Sequence, residues 1–255
     1  NLTSVTQAVY AGAAVGKMTN NSTLYDINVA ADMQISVATV TGVTYAGGIV
    51  GQSEGVVSNV ENHAAITASG GDVYAGGVAG QVYGTGLKLK KIWNYGTVNA
   101  ISYGNEASAG GIVGYAPVSV NMGDDNTIIL NAGAVSSSGG NRNYSGGIVG
   151  RASWTASFSE DTSNSGQVSI SAPAASGSYA GGLAGSMDSL VVGRTHAFAF
   201  NNTGAVTNNG GTNVYTGGIA GYIEGALTWD DNLANNAGVS ASGMSQVYSG
   251  GLFGS

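Results

Sequence analysis

The sequence predicts an all-β protein, a parallel β-solenoid of about seven to eight coils of ~34 residues with three short strands per coil. Three observations carry that prediction. A seven-residue motif close to Y-A-G-G-I-V-G recurs eight times in 255 residues, with its first glycine at Gly12, Gly47, Gly76, Gly110, Gly146, Gly181, Gly217 and Gly250. A second motif, N-x-G-x-V-[ST], sits between copies of the first, at Asn94, Asn131, Asn164 and Asn202. Apolar and polar residues alternate through both motifs, the period of a strand, and no segment combines a helical period with caps and good helix formers. A repeat of 29 to 36 residues along the whole chain is the signature of units that stack.

Each coil is justified in order. The glycine motif occupies residues 45–51, 74–80, 108–114, 144–150, 179–185, 215–221 and 248–254, with a degenerate copy at 10–16 where Ala13 replaces the second glycine. Its opening tyrosines, Tyr45, Tyr74, Tyr144, Tyr179, Tyr215 and Tyr248, are expected to stack on one another, with Ser108 as a gap. Its paired glycines mark a tight bend or a close approach of two backbones. Ile49, Val78, Ile112, Ile148, Leu183, Ile219 and Leu252 point inward and fill the core.

A third alternating stretch of variable length follows, as in residues 87–93, 126–130 and 196–200. Then comes the second motif. Asn62 keeps its spacing without the glycine, and Asn236 fits one residue short. Asn62, Asn94, Asn131, Asn164, Asn202 and Asn236 are expected to form a hydrogen-bonded amide ladder. The residue after the inward Val or Ile faces outward, giving a column of Thr6, Thr67, Asn99, Ser136, Ser169, Thr207 and Ser240.

Composition narrows the function. Charged residues are 8% of the chain, and polarity comes from Ser, Thr, Asn and 44 glycines. Neutral side chains suit stacked layers, because a charge repeated in register repels its own copies. The net charge of −7 argues against nucleic acid as a partner. There is no cysteine, so no disulfide or thiol chemistry, and no run approaches the ~18 apolar residues of a membrane span.

The repeated G-G-[IVL]-[VAF]-G, in eight copies over essentially the whole chain, resembles the GLUG motif of repeat regions in bacterial surface and secreted proteins. That resemblance implies an extracellular β-structured repeat region, often a stalk or adhesive module. It supplies no catalytic residues.

Several side chains are candidates for chemistry. Asp124 with Asp125, Glu160 with Asp161, and Asp230 with Asp231 fall at the same loop position of their repeats, and the first two pairs lie on adjacent coils. They are the candidate Ca²⁺ ligands, a solvated turn being the alternative. Lys88, Lys90 and Lys91 beside Trp93 would either meet an acidic partner or act as gatekeeping charges on a strand face. His63 and His196 have no partner by spacing for catalysis or metal binding. Asn1, Asn20, Asn21, Asn143 and Asn201 open glycosylation sequons.

The expected function is that of a non-catalytic extracellular protein without cofactors, a subunit or segment of a self-assembling cell-surface filament, stalk or adhesin. Residues 1–255 read as one solenoid domain without capping segments, so open ends would pair head-to-tail with further copies. The alternative is a glycan- or ice-binding module that uses the Ser/Thr/Asn column as a flat face. A polysaccharide-active enzyme would need clustered carboxylates in a cleft, and the acids here sit at loop tips.

Overall fold

A computed structural model describes residues 2–4, 7–20, 22–84, 88–122, 128–158, 161–192, 199–229 and 232–255. It is a parallel β-solenoid. Every strand pairing among the described residues is parallel, and their strands gather into three sheets that run along one axis. The second motif forms sheet A, eight strands from Leu2–Ser4 to Val239–Ser242. The tyrosine half of the glycine motif forms sheet B, eight strands from Val9–Ala11 to Gln246–Gly250. Sheet C has two strips. One takes the residues just past the glycine pair, such as Val50–Ser53. The other takes the third alternating stretch, such as Val56–Asn62 and Lys88–Asn94. Val149–Phe158 and Ala184–Val192 run through both strips.

The winding amounts to about six turns, slightly fewer than seven to eight. Six coils carry a ladder asparagine, and the first and last coils depart from the pattern. Like residues stack on like: Tyr45 on Tyr74, Gly76 on Gly110, Val98 on Val135, Asn131 on Asn164.

The core is a column of small and branched side chains. Ile49, Val78, Ile112, Ile148, Leu183 and Ile219 are buried, as are Val98, Val135, Val168 and Val206. Each such side chain contributes about 1.5–3 kcal/mol by leaving water. Leu252 departs from expectation: it is 38% exposed, because no coil among the described residues covers the last one.

Through that core runs a chain of asparagine amides. The Nδ2 of Asn62 donates to Oδ1 of Asn94 at 2.8 Å, Asn94 to Asn131 at 2.7 Å, and Asn131 to Asn164, Asn164 to Asn202 and Asn202 to Asn235 at 2.8 Å each. The same nitrogens donate to a carbonyl two residues on, as in Asn131 to Gly133 at 2.8 Å. The last member is Asn235, not Asn236. Register follows the inward Val239, which stands four residues after Asn235 as Val98 stands four after Asn94. Asn236 is exposed and instead donates to Oδ1 of Asn201 at 3.1 Å.

The ladder explains the second glycine of six pairs, Gly48, Gly77, Gly111, Gly147, Gly182 and Gly218. A Cβ on Gly147 would lie 2.1 Å from the carbonyl oxygen of Gly182 and 2.3 Å from Cγ of Asn164. A Cβ on Gly77 would sit 2.3 Å from Cγ of Asn94. The amide therefore lies where a side chain would be. In the first coil both partners change together: Ala13 stands at the glycine position and Val29 registers with Asn62.

Two variants test this packing by thermal unfolding. Gly147→Ala should destabilise by on the order of 3 kcal/mol or more. Gly238→Ala, whose Cβ would meet nothing within 4 Å, should stay within about 0.5 kcal/mol of the parent. Asn131→Asp should also cost at least about 3 kcal/mol, since it buries a charge and faces Asn164 with acceptor against acceptor.

Candidate functional site

Three outer surfaces carry the polar and aromatic side chains. The first follows from the glycine bend. The strand past the glycines folds back so closely that a Cβ on Gly80 would lie 2.5 Å from the amide nitrogen of Ala46. Sheet B and the first strip of sheet C thus meet along a concave edge. The tyrosine column lines one side. The other side is a column in register through Lys17, Gln52, Gln81, Tyr115, Arg151, Ser186 and Tyr222.

The tyrosine rings stack nearly parallel. Tyr10–Tyr45 are 5.0 Å apart, Tyr45–Tyr74 5.3 Å, Tyr144–Tyr179 4.8 Å, Tyr179–Tyr215 5.2 Å and Tyr215–Tyr248 5.0 Å. At Ser108 the stack crosses to the neighbouring column. Tyr74 packs on Tyr115 at 4.8 Å, and the Arg151 guanidinium lies 5.4 Å from the Tyr115 centroid and 5.1 Å from that of Tyr144. The gap expected from sequence is therefore bridged, by a tyrosine and an arginine. Ser108 is buried, and its hydroxyl donates to the carbonyl of Gly114 at 2.7 Å.

A buried carboxylate fixes that arginine. Nη1 of Arg151 donates to both oxygens of Glu106, at 3.0 and 2.8 Å, and Arg142 stands 3.7 Å away. Burial raises the Glu106 carboxyl above its ordinary value, and the two arginines oppose that shift. Burial also works against charge on Arg151, but Glu106 outweighs it and the guanidinium is held more firmly protonated. Both carboxylate oxygens thus take a charge-assisted contact from one guanidinium nitrogen of Arg151, with Arg142 close to one of them. Sequence reading missed Glu106, Arg142, Arg151 and Tyr115. For two of them the signal was positional: Tyr115 and Arg151 each sit three residues past the inward isoleucine of their glycine motif, Ile112 and Ile148.

Because each ring covers its neighbours' faces, the column offers edges and hydroxyls rather than open faces. It is a structural stack more than a ligand platform. Burial pushes the phenol of Tyr144 up to about 12, and raises those of Tyr45, Tyr74, Tyr179 and Tyr215 above the ordinary 10.0.

The second surface is the outside of sheet A. Thr67, Asn99, Ser136, Ser169, Thr207 and Ser240 are in register on successive strands and are exposed or half-buried. Below Thr67 the next member is Ser36, which sequence reading passed over; Thr6 lies outside the described residues. Part of the hydroxyl capacity is spent within the face, as in Ser136 Oγ donating to Asn99 Oδ1 at 3.1 Å.

The third is the outer face of the third-stretch strands. Lys88 and Lys91 are exposed there, while Lys90 and Trp93 are half-buried. His63 is half-buried, 2.8 Å from Glu61, and stacks on Tyr95 at 4.7 Å.

The remaining candidates scatter. Of the acid pairs only Asp161 is described, exposed at the start of Asp161–Asn164; Asp124, Asp125, Glu160, Asp230 and Asp231 lie outside the described residues, as does His196. Among the described residues no three His, Cys, Asp or Glu side chains come together as a metal site. Of the sequons, Asn20 is exposed and Asn201 half-buried, whereas Asn143 is fully buried and donates to the carbonyl of Gly140 at 2.8 Å; Asn1 and Asn21 lie outside the described residues. The fold must open before Asn143 could accept a glycan. No helix among the described residues is long and apolar enough to cross a membrane.

No protein family matches this chain, and no curated protein or solved structure matches it either.

The raised tyrosines give a pH prediction. A group whose folded pKa exceeds its unfolded value stabilises the fold fully below the unfolded value and loses that contribution as pH climbs through the folded one. Stability should therefore hold up to about pH 10 and fall above it. Phenolate absorbance and circular dichroism followed together should show a fraction of the phenols, that of Tyr45, Tyr74, Tyr144, Tyr179 and Tyr215, ionising only as sheet signal is lost. Ionisation of every tyrosine near pH 10 with the sheets intact would contradict the buried stack.

Proposed function

We propose that this chain is a non-catalytic structural solenoid, a subunit or segment of an extracellular filament, stalk or adhesin. The observation that carries the reading is the amide ladder from Asn62 to Asn235. The buried polar chemistry of six coils is directed at the coil above, which makes an elongated, register-locked rod. The same positions recur in every coil, so unlike groups seldom converge as a reaction centre requires. The GLUG-like glycine pairs support an extracellular setting by resemblance.

Self-association extends the same reading. Among the described residues, the strands Leu2–Ser4, Val9–Ala11, Val239–Ser242 and Gln246–Gly250 each pair on one side only. Tyr248 and Val247 on the last coil are 43% and 42% exposed. A coil laid on either end, from a second copy, would continue the backbone ladders and the ring stack. Head-to-tail contact of this kind does not close, so it yields a fibre. Sedimentation across a range of concentrations, with negative-stain microscopy, tests it. Filaments of uniform width that lengthen with concentration are expected, and Tyr248→Lys with Val247→Lys should abolish them. A monodisperse monomer at the highest concentration would refute self-assembly.

A second reading uses sheet A. Its outer face presents one straight register of small polar residues from Ser36 to Ser240, a geometry suited to an extended glycan or to ice. Thr67→Lys with Ser136→Lys and Thr207→Lys should then abolish binding to cells, immobilised glycans or ice. Binding unchanged by the triple variant would remove that face from consideration.

A further inference from the structure

The third-stretch strands contain an irregularity that the rod does not require. Asp26, Asn59 and Lys91 have φ of 55, 53 and 51°, and they are the positive-φ residues other than glycine among the described residues. They stand at one level of three successive coils. On either side the strands stay in register, Tyr25 with Ser58 and Lys90, and Ile27 with Val60 and Ile92. Asp and Asn tolerate this left-handed conformation better than most residues; Lys has no such advantage. Each of the three inserts an extra outward residue, as a bulge does, and re-aims the side chains beside it.

The re-aimed side chains line one shallow open groove: Asp26, Asn28, Asn59 and Glu61, with Trp93 along one flank. Its polar groups are already oriented. The amide of Asn59 donates to Asp26, and Asn28 Nδ2 donates to Glu61 Oε2 at 3.2 Å. His63 holds the other oxygen of Glu61 at 2.8 Å. With their NH₂ groups directed at carboxylates, both asparagines keep carbonyl oxygens as acceptors, next to the carboxylate oxygens. That set matches a ligand rich in hydroxyl donors. The indole offers a surface for the C–H side of the same ligand.

Charge narrows the class. Lys88, Lys90 and Lys91 on the next coil offset Asp26 and Glu61, so the groove lacks the strong field that a charged ligand would seek. We propose that this groove is a binding site for a neutral saccharide. It lies on sheet C, apart from the sheet A face, and it functions whether or not the rod assembles.

Isothermal titration and saturation-transfer NMR on the full chain test the site with cellotetraose, xylotetraose, mannotetraose and chitotetraose. Tetragalacturonate and calcium chloride alone serve as charged probes. At least one neutral tetrasaccharide should bind. Trp93→Ala and Asn28→Ala should each weaken it about tenfold or more. Trp154→Ala, which removes an indole exposed elsewhere, and Thr67→Lys on sheet A should leave it unchanged. Asn28 is exposed, so its variant carries the test should Trp93→Ala fail to fold. The proposal is overturned by the failure of every neutral tetrasaccharide to bind, by affinity indifferent to Trp93 and Asn28, or by tighter binding of the charged probes.

Discussion

The structure depends on one constraint: an amide at the same level of six successive coils, five of them buried and each of those five donating to the next. A primary amide is both donor and acceptor, so a single residue type repeats without a mismatch, and the row has one direction. Directionality fixes register along the axis. A coil slipped by one residue would turn its asparagine outward and leave neighbouring amides buried without partners, at about 1–3 kcal/mol for each group. The branched core side chains supply most of the cohesion, but they tolerate sliding in a way the amides do not.

Other features follow from that row. The second glycine of six pairs, from Gly48 to Gly218, is the empty place into which the asparagine fits. The glycine of the second motif lets adjacent turns approach: a Cβ on Gly133 would lie 1.9 Å from the carbonyl oxygen of Gly96. The tight bend between sheets B and C brings the tyrosines beside the following strand. That proximity allows Tyr115 and Arg151 to take over where the tyrosine row is interrupted at Ser108. Arg151 introduces a charge into a stack of neutral rings, and Glu106 compensates it from within the same concave edge.

Much of this was legible in the sequence because a repeat reports its own register. The alternation around Val98 and Val135, the recurring Asn and the glycine pairs were enough to place the three sheets and the inward and outward faces. What was missed has a common physical cause. Asn236 was assigned to the ladder from its neighbouring glycine, whereas the spacing to Val239, in register with the buried Val206, decides, and that spacing selects Asn235. Arg151 and Tyr115 were invisible because they stand on a column whose members differ between adjacent coils. The left-handed residues Asp26, Asn59 and Lys91 leave no repeated residue type at all; only their shared backbone conformation reveals them. Singular features on a periodic frame are the ones a period search passes over, and candidate binding chemistry collects there.

The central claim is the buried amide row, and side-chain hydrogen exchange measures it most directly. In an NMR experiment on the intact chain, the carboxamide protons of Asn94, Asn131 and Asn164 should exchange as slowly as backbone amides of the core strands, while those of exposed Asn236 exchange freely. Carboxamide protons that exchange at the rate of Asn236 at all three ladder positions would contradict the ladder, and with it the register of the solenoid.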